Sequence, residues 1–147
     1  MSTSPRDTVG VLLSRTGRVW RTRLDERLEP LGLTQARWLV LMHLARMGGE
    51  APQKDLAQSI GVESPTMVRV VDGLERLGLV ERVGQKDDRR AKTVRLTHKA
   101  QGVNEEIQRI GSGLRGEALA GLSDEELAEF LRILEIILNN LCAAAVR

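Results

Sequence analysis

The chain has 147 residues, 41% of them hydrophobic and 29% charged, which suits one globular domain with a real core. No apolar run approaches the roughly 18 residues of a membrane span, and the opening Met-Ser-Thr-Ser-Pro-Arg-Asp holds no signal core, so a cytoplasmic protein without a membrane partner is expected. The net charge of +2 hides an asymmetry: residues 1–100 carry 18 Lys+Arg against 12 Asp+Glu, whereas residues 101–147 carry 4 against 8.

In chain order, residues 8–29 read as a helix, with Leu13, Gly17, Trp20, Leu24, Leu28 and Leu31 at spacings of three and four and an arginine-rich opposite face. Pro30 and Gly32 end it. Thr34 can cap a second helix, whose Trp38, Leu39, Leu41, Met42 and Leu44 are apolar on more than one side, as a core helix requires. That helix stops at Gly48-Gly49. Pro52 opens a short helix with Leu56, Ala57 and Ile60 on its inner face, and Gly61 takes the sharp turn after it. Ser64 as N-cap and Pro65 at the first position start the next helix. There Met67, Val70, Val71, Leu74 and Leu77 should pack inward, while Pro65, Val68, Arg69, Asp72 and Arg76 project outward.

Gly78 ends that helix. Leu79–Val83 and Lys92–Leu96 read as a strand and its return, joined by a polar loop from Gly84 to Ala91. Lys86, Arg89, Arg90 and Lys92 make this hairpin a cationic prong. Thr97 can cap a long helix whose Ala100, Val103, Ile107, Ile110 and Leu114 form a coiled-coil-like seam. Its glycines at 102, 111, 113 and 116 fit either close packing or a bend. Ser123-Asp-Glu-Glu126 is a capping box for the last helix. That helix repeats the seam with Leu127, Leu131, Leu134, Leu138 and Leu141. Phe130, Ile133, Ile136 and Ile137 widen it beyond what one intramolecular contact can cover, so a second subunit is expected.

Helix, turn, helix and charged hairpin over residues 53–97 make a winged helix-turn-helix, a device for reading duplex DNA. Arg69 is the first candidate for a base or phosphate contact, since a guanidinium can bond bidentately to a guanine edge; an ion pair with Asp72 is its competing role. Ser64, Pro65 and Thr66 should lie near the groove floor or backbone, and Val68 could touch a thymine methyl. Asp72 would orient Arg69 or pair with Arg76. Arg90 is placed at the wing tip, entering a narrow minor groove, with Arg89 and Lys86 on phosphates. A winged-helix protein-interaction module that binds no DNA is the rival reading; Arg89 and Arg90 argue against it.

Three stretches together resemble the MarR family of transcriptional regulators, and within it the SlyA type. They are Leu31-Gly-Leu-Thr-Gln-Ala-Arg-Trp38, Leu56 to Val80, and Asp88-Arg-Arg-Ala-Lys-Thr-Val-Arg-Leu-Thr97, which fits the family's wing signature Asp-x-Arg followed by Leu-Thr. The resemblance covers the order of elements from about residue 8 to 143. It implies one mainly α domain over residues 5–143, with the winged helix at 53–97 and dimerisation helices at 8–29 and 97–143. It further implies a homodimer on pseudo-palindromic double-stranded DNA, with Asp88 bracing Arg90.

Many members of that family release DNA when an aromatic acid or other phenolic binds between the dimer helices and the winged helix, near residues of the first two helices. The matching positions are Arg18, Trp20 and Trp38, with His43 as a further candidate. Two indoles and a guanidinium suit a flat aromatic carboxylate, although both tryptophans also fit as core residues. No other cofactor is expected. The single cysteine, Cys142, excludes an intramolecular disulfide, and with only His43 and His98 beside it no clustered metal ligands arise. No nucleophile–base motif or phosphate loop points to an enzyme.

Overall fold

A computed structural model describes residues 4–85 and 88–145, with the backbone alone for residues 85 and 88–91. The first helix, α1 (Pro5–Leu28), starts three residues before the expected boundary. Ser4 is its N-cap, accepting from the Arg6 N–H at 3.2 Å, and Pro5 fits the first position, where no N–H is needed. Leu24 and Leu28 are buried; a 3-10 turn at Glu29–Leu31 and a left-handed Gly32 (φ 69°) end the element where Pro30 and Gly32 predict. Thr34 caps α2 (Gln35–Arg46) through Arg37 N–H. This helix buries Trp38, Val40, Leu41 and Leu44 and is the centre of the core.

Next come α3 (Gln53–Ile60) and α4 (Ser64–Arg76), joined at Gly61, whose φ of 83° favours glycine. Leu56 and Ala57 on α3 meet Met67, Val71 and Leu74 on α4 in one buried cluster. Two expectations are corrected here. Glu63, extended at ψ 153°, is the N-cap of α4, so Ser64 is its first helical residue and its hydroxyl makes no capping bond. Leu77 is 41% exposed, because it is the C-cap residue and lies beyond the last buried turn.

The sheet has the order β1 (Glu50–Pro52), β3 (Asp88–Leu96), β2 (Val80–Gln85), antiparallel throughout. Strand β1 was not expected: three residues ending in proline are too short to show alternation. It places Ala51 opposite Val94, both buried. The expected loop over 84–91 is also shorter in the structure. Pairing runs on through Gly84 with Lys92 and, after an irregularity, Gln85 with Asp88.

Helix α5 (Ala100–Ala118) begins three residues after Thr97, which does not cap it. The Thr97 hydroxyl instead donates to the Gly78 carbonyl at 2.6 Å. Ala100, Ile107 and Leu114 are buried in the core cluster of their own chain, with Val103 and Ile110 against it. The α5 seam therefore packs against the core of its own chain. Gly102 and Gly113 have open space where a Cβ would stand, so neither is packed closely against the described residues of its own chain.

The chain divides into two compact units, one ending at Leu114 and one starting at Arg115. The second holds the end of α5 and all of α6 (Asp124–Ala145). Ser123 accepts from the Glu126 N–H at 3.1 Å, as the capping box predicts. Arg132 hydrogen-bonds Glu129 on the same helix and thereby lowers the carboxyl's pKa. No described residue of α6 is buried: Phe130, Leu131, Ile133, Ile136, Leu138 and Leu141 are 41–64% exposed. Among the described residues, no helix is long and apolar enough to cross a membrane.

Candidate nucleic-acid interface

The outward face of α4 follows from its sequence. With Met67, Val71 and Leu74 locked inside, Pro65, Val68, Arg69 and Arg76 must face away from the core, and all four are exposed. Ser64 and Pro65 stand exposed in the first turn, and Thr66 is half-buried beside them. Arg69 Nη2 reaches the Thr66 hydroxyl at 3.5 Å, a long contact that leaves most guanidinium donors unspent among the described residues. The competing ion pair with Asp72 does not form. Asp72 lies 2.7 Å from Arg82 Nη1 instead, and Arg76 Nε donates to the Asp72 backbone carbonyl at 3.3 Å. Asp72 therefore neither orients Arg69 nor pairs with the Arg76 side chain through its carboxylate.

A groove of about 780 Å³ runs between the start of α3, the first half of α4 and the hairpin. It brings Ser64 and Val68 together with Lys54, Arg82 and Lys92. Lys54 and Arg82 were missing from the candidate residues. The signal for Arg82 lay in the strand period: it shares a sheet face with Val80 and pairs with Val94, both fully buried, so a charge there must find partners. Lys54 carried no comparable signal, because a lone lysine in the first turn of a helix reads as solvated surface.

The C-terminal end of α4 is held as well. Lys99 Nζ donates to the Leu77 carbonyl at 2.9 Å, and Thr97 to that of Gly78. Both satisfy carbonyls that a helix end leaves free, and the ammonium suits the negative end of the helix dipole. Lys86 lies outside the described residues, and so do the side chains of Asp88, Arg89 and Arg90.

The four ligand candidates are placed as follows. Arg18 is exposed on α1; Trp20 is half-buried and packs on the core cluster. Trp38 is 1% exposed, and its indole N–H donates to Asp25 at 3.1 Å, joining α2 to α1. His43 is half-buried, with Nδ1 2.8 Å from the Leu39 carbonyl, a contact in which Nδ1 donates. The face and polar atom of Trp38 are thus already committed to the protein.

Three packed helices, a short third strand and a β-hairpin define a winged helix-turn-helix protein. The family model described as "MarR family" matches residues 31–91. The crystal structure of transcriptional regulator PA3341 is 49% identical, with 90% of this chain and 97% of that one covered and a TM-score of 0.84. CouR from Rhodococcus jostii RHA1, bound to p-coumaroyl-CoA, is 26% identical over 92% of this chain and 95% of its own, at a TM-score of 0.80. A mutant MarR from E. coli complexed with operator DNA is 25% identical over 92% and 99%, at 0.76. The chain belongs to the MarR family of transcriptional regulators.

Proposed function

We propose that the chain regulates transcription by binding double-stranded DNA sequence-specifically, as a homodimer on pseudo-palindromic operators. The observation that carries this reading is the outward face of α4. Its Arg69 is left available because Asp72 is engaged by Arg82, and Lys54 and Lys92 flank it along the groove. A solved relative complexed with operator DNA supports the same assignment. Residues 5–143 then act as a single domain, in which Ser64, Pro65, Thr66, Val68 and Arg69 meet the major groove. The hairpin positions Lys86, Asp88, Arg89 and Arg90 serve the wing. A DNA target also sets a cytoplasmic location. The SlyA-like subtype rests on the three sequence stretches alone.

Homodimerisation is supported by α6, which leaves a wide apolar stripe uncovered. Release by a small aromatic carboxylate at Arg18, Trp20 and His43 completes the proposal, with Trp38 as a buried wall. A relative bound to p-coumaroyl-CoA supports ligand control in this fold. Titration with hydroxybenzoate should quench tryptophan fluorescence and weaken operator binding together; quenching without release would remove the effector role. The central test is selection of bound sequences from a random duplex library, followed by salt-dependent gel shifts. A two-fold site with half-site centres about 10–10.5 bp apart, or a multiple, is expected. No enriched sequence at any salt would defeat the reading.

A further inference from the structure

We infer that Arg82 is a positioning residue that locks the recognition helix and the wing into one rigid reader; the inference deepens the DNA-binding proposal and rests on it for its functional half. Arg82 stands on β2, with its side chain only 15% exposed. Its guanidinium spans three elements. Nε donates to Gln53 Oε1 at the first residue of α3, at 3.1 Å. Nη2 donates to the Val68 carbonyl at 3.1 Å, and Nη1 lies 2.7 Å from Asp72 and 3.6 Å from Glu75. The Arg82 backbone N–H donates to Glu75 Oε2 at 3.2 Å.

Val68, Asp72 and Glu75 recur at helical spacing, so these contacts form a row along one side of α4. Three points along a helix fix both its distance from the strand and its rotation about its own axis. Arg82 in turn pairs with Val94 on β3, so both legs of the hairpin are tied to the same anchor. Val68 immediately precedes Arg69, so the orientation of the reading side chain is set through the carbonyl that Arg82 holds.

The residue type matters. A planar fork with five donors can satisfy an amide oxygen, a backbone carbonyl and a carboxylate at once; a lysine ammonium is one point charge on a flexible stem. Asp72 and Glu75 are nearly half exposed, so on loss of Arg82 they return to water and the fold persists. What is lost is the fixed relation between helix and wing. A duplex read in two grooves at once then has to select the correct relation from many.

The test has two arms. In the first, spin labels at Arg76→Cys and Lys92→Cys, in a Cys142→Ser background diluted with unlabelled chains, report the helix-to-wing distance without DNA. Arg82→Gln should broaden that distribution, with Arg82→Lys intermediate. An unchanged width overturns the clamp, whatever DNA binding shows. In the second arm, Arg82→Gln should lower affinity for the selected operator by roughly tenfold or more, while affinity for random duplex changes little. The loss caused by Arg90→Ala should shrink in the Arg82→Gln background, because an unlocked wing no longer cooperates with α4. A merely structural role would lower the melting temperature but leave the operator-to-random ratio and that coupling unchanged, which also overturns the inference. If Arg82→Gln broadens the distribution but the wild-type chain binds no duplex, the DNA reading sinks and the clamp stands.

Discussion

Arg69 and Lys92 are both cations near α4, yet they should fail in different ways. Arg69 is held only by a long contact to Thr66 and stands on the outward helix face. Its replacement by alanine should relax preference at one position of each half-site, by about 1–3 kcal/mol of discrimination. Lys92 lines the groove from the strand side and is exposed, as a phosphate contact would be. Lys92→Ala should weaken all sequences alike and reduce the salt slope by about one ion. Competition gel shifts across several salt concentrations separate the two; equal behaviour would refute the division between reading and anchoring. Trp38 offers a stability test at the same scale. Trp38→Phe keeps a buried aromatic ring but removes the bond to Asp25 and part of the ring volume, and should cost at least about 1–2 kcal/mol in denaturant unfolding.

At the scale of elements, α5 and α6 show why similar seams had different fates. Both repeat apolar residues at spacings of three and four. In α5 the stripe is narrow, and Ile107 and Leu114 are buried in the chain's own core. Ile107→Ala should therefore cost about 2–5 kcal/mol of unfolding stability, whatever the protein concentration. The apolar pattern alone could not tell an inner seam from an outer one, because both bury the same kind of surface. Legible elements were those with a local chemical cause: Thr34 as a cap, Gly61 and Gly78 as left-handed stops, and Ser123 in its capping box. Less legible was whatever depended on a distant partner. Strand β1 exists because β3 runs beside it, and Thr97 turned to Gly78 because α4 ends there. Arg82 belongs to this second group. Its inward parity was visible on β2, but Gln53, Val68, Asp72 and Glu75 come together only in the fold.

For the whole molecule, the question is what covers α6. A helix with Leu131, Leu138 and Leu141 each 59–64% exposed presents an apolar stripe to water of the kind that marks an interaction surface. A second copy of the chain is the occupant the regulator reading requires, since two-fold operators demand two readers at a fixed spacing. Leu138→Glu places a charge in the middle of the stripe. Because no described residue of α6 is buried in its own chain, the substitution should leave winged-helix stability almost unchanged. It should, however, convert a dimer into a monomer by sedimentation equilibrium. Operator affinity should then fall steeply, while binding to an isolated half-site should stay close to that of one wild-type reader, because only the linkage of the two readers is lost. A Leu138→Glu chain that stayed dimeric with full operator affinity would place the dimer contact elsewhere. If instead it unfolded, α6 would be part of the monomer's core, and its exposed leucines would need a different account.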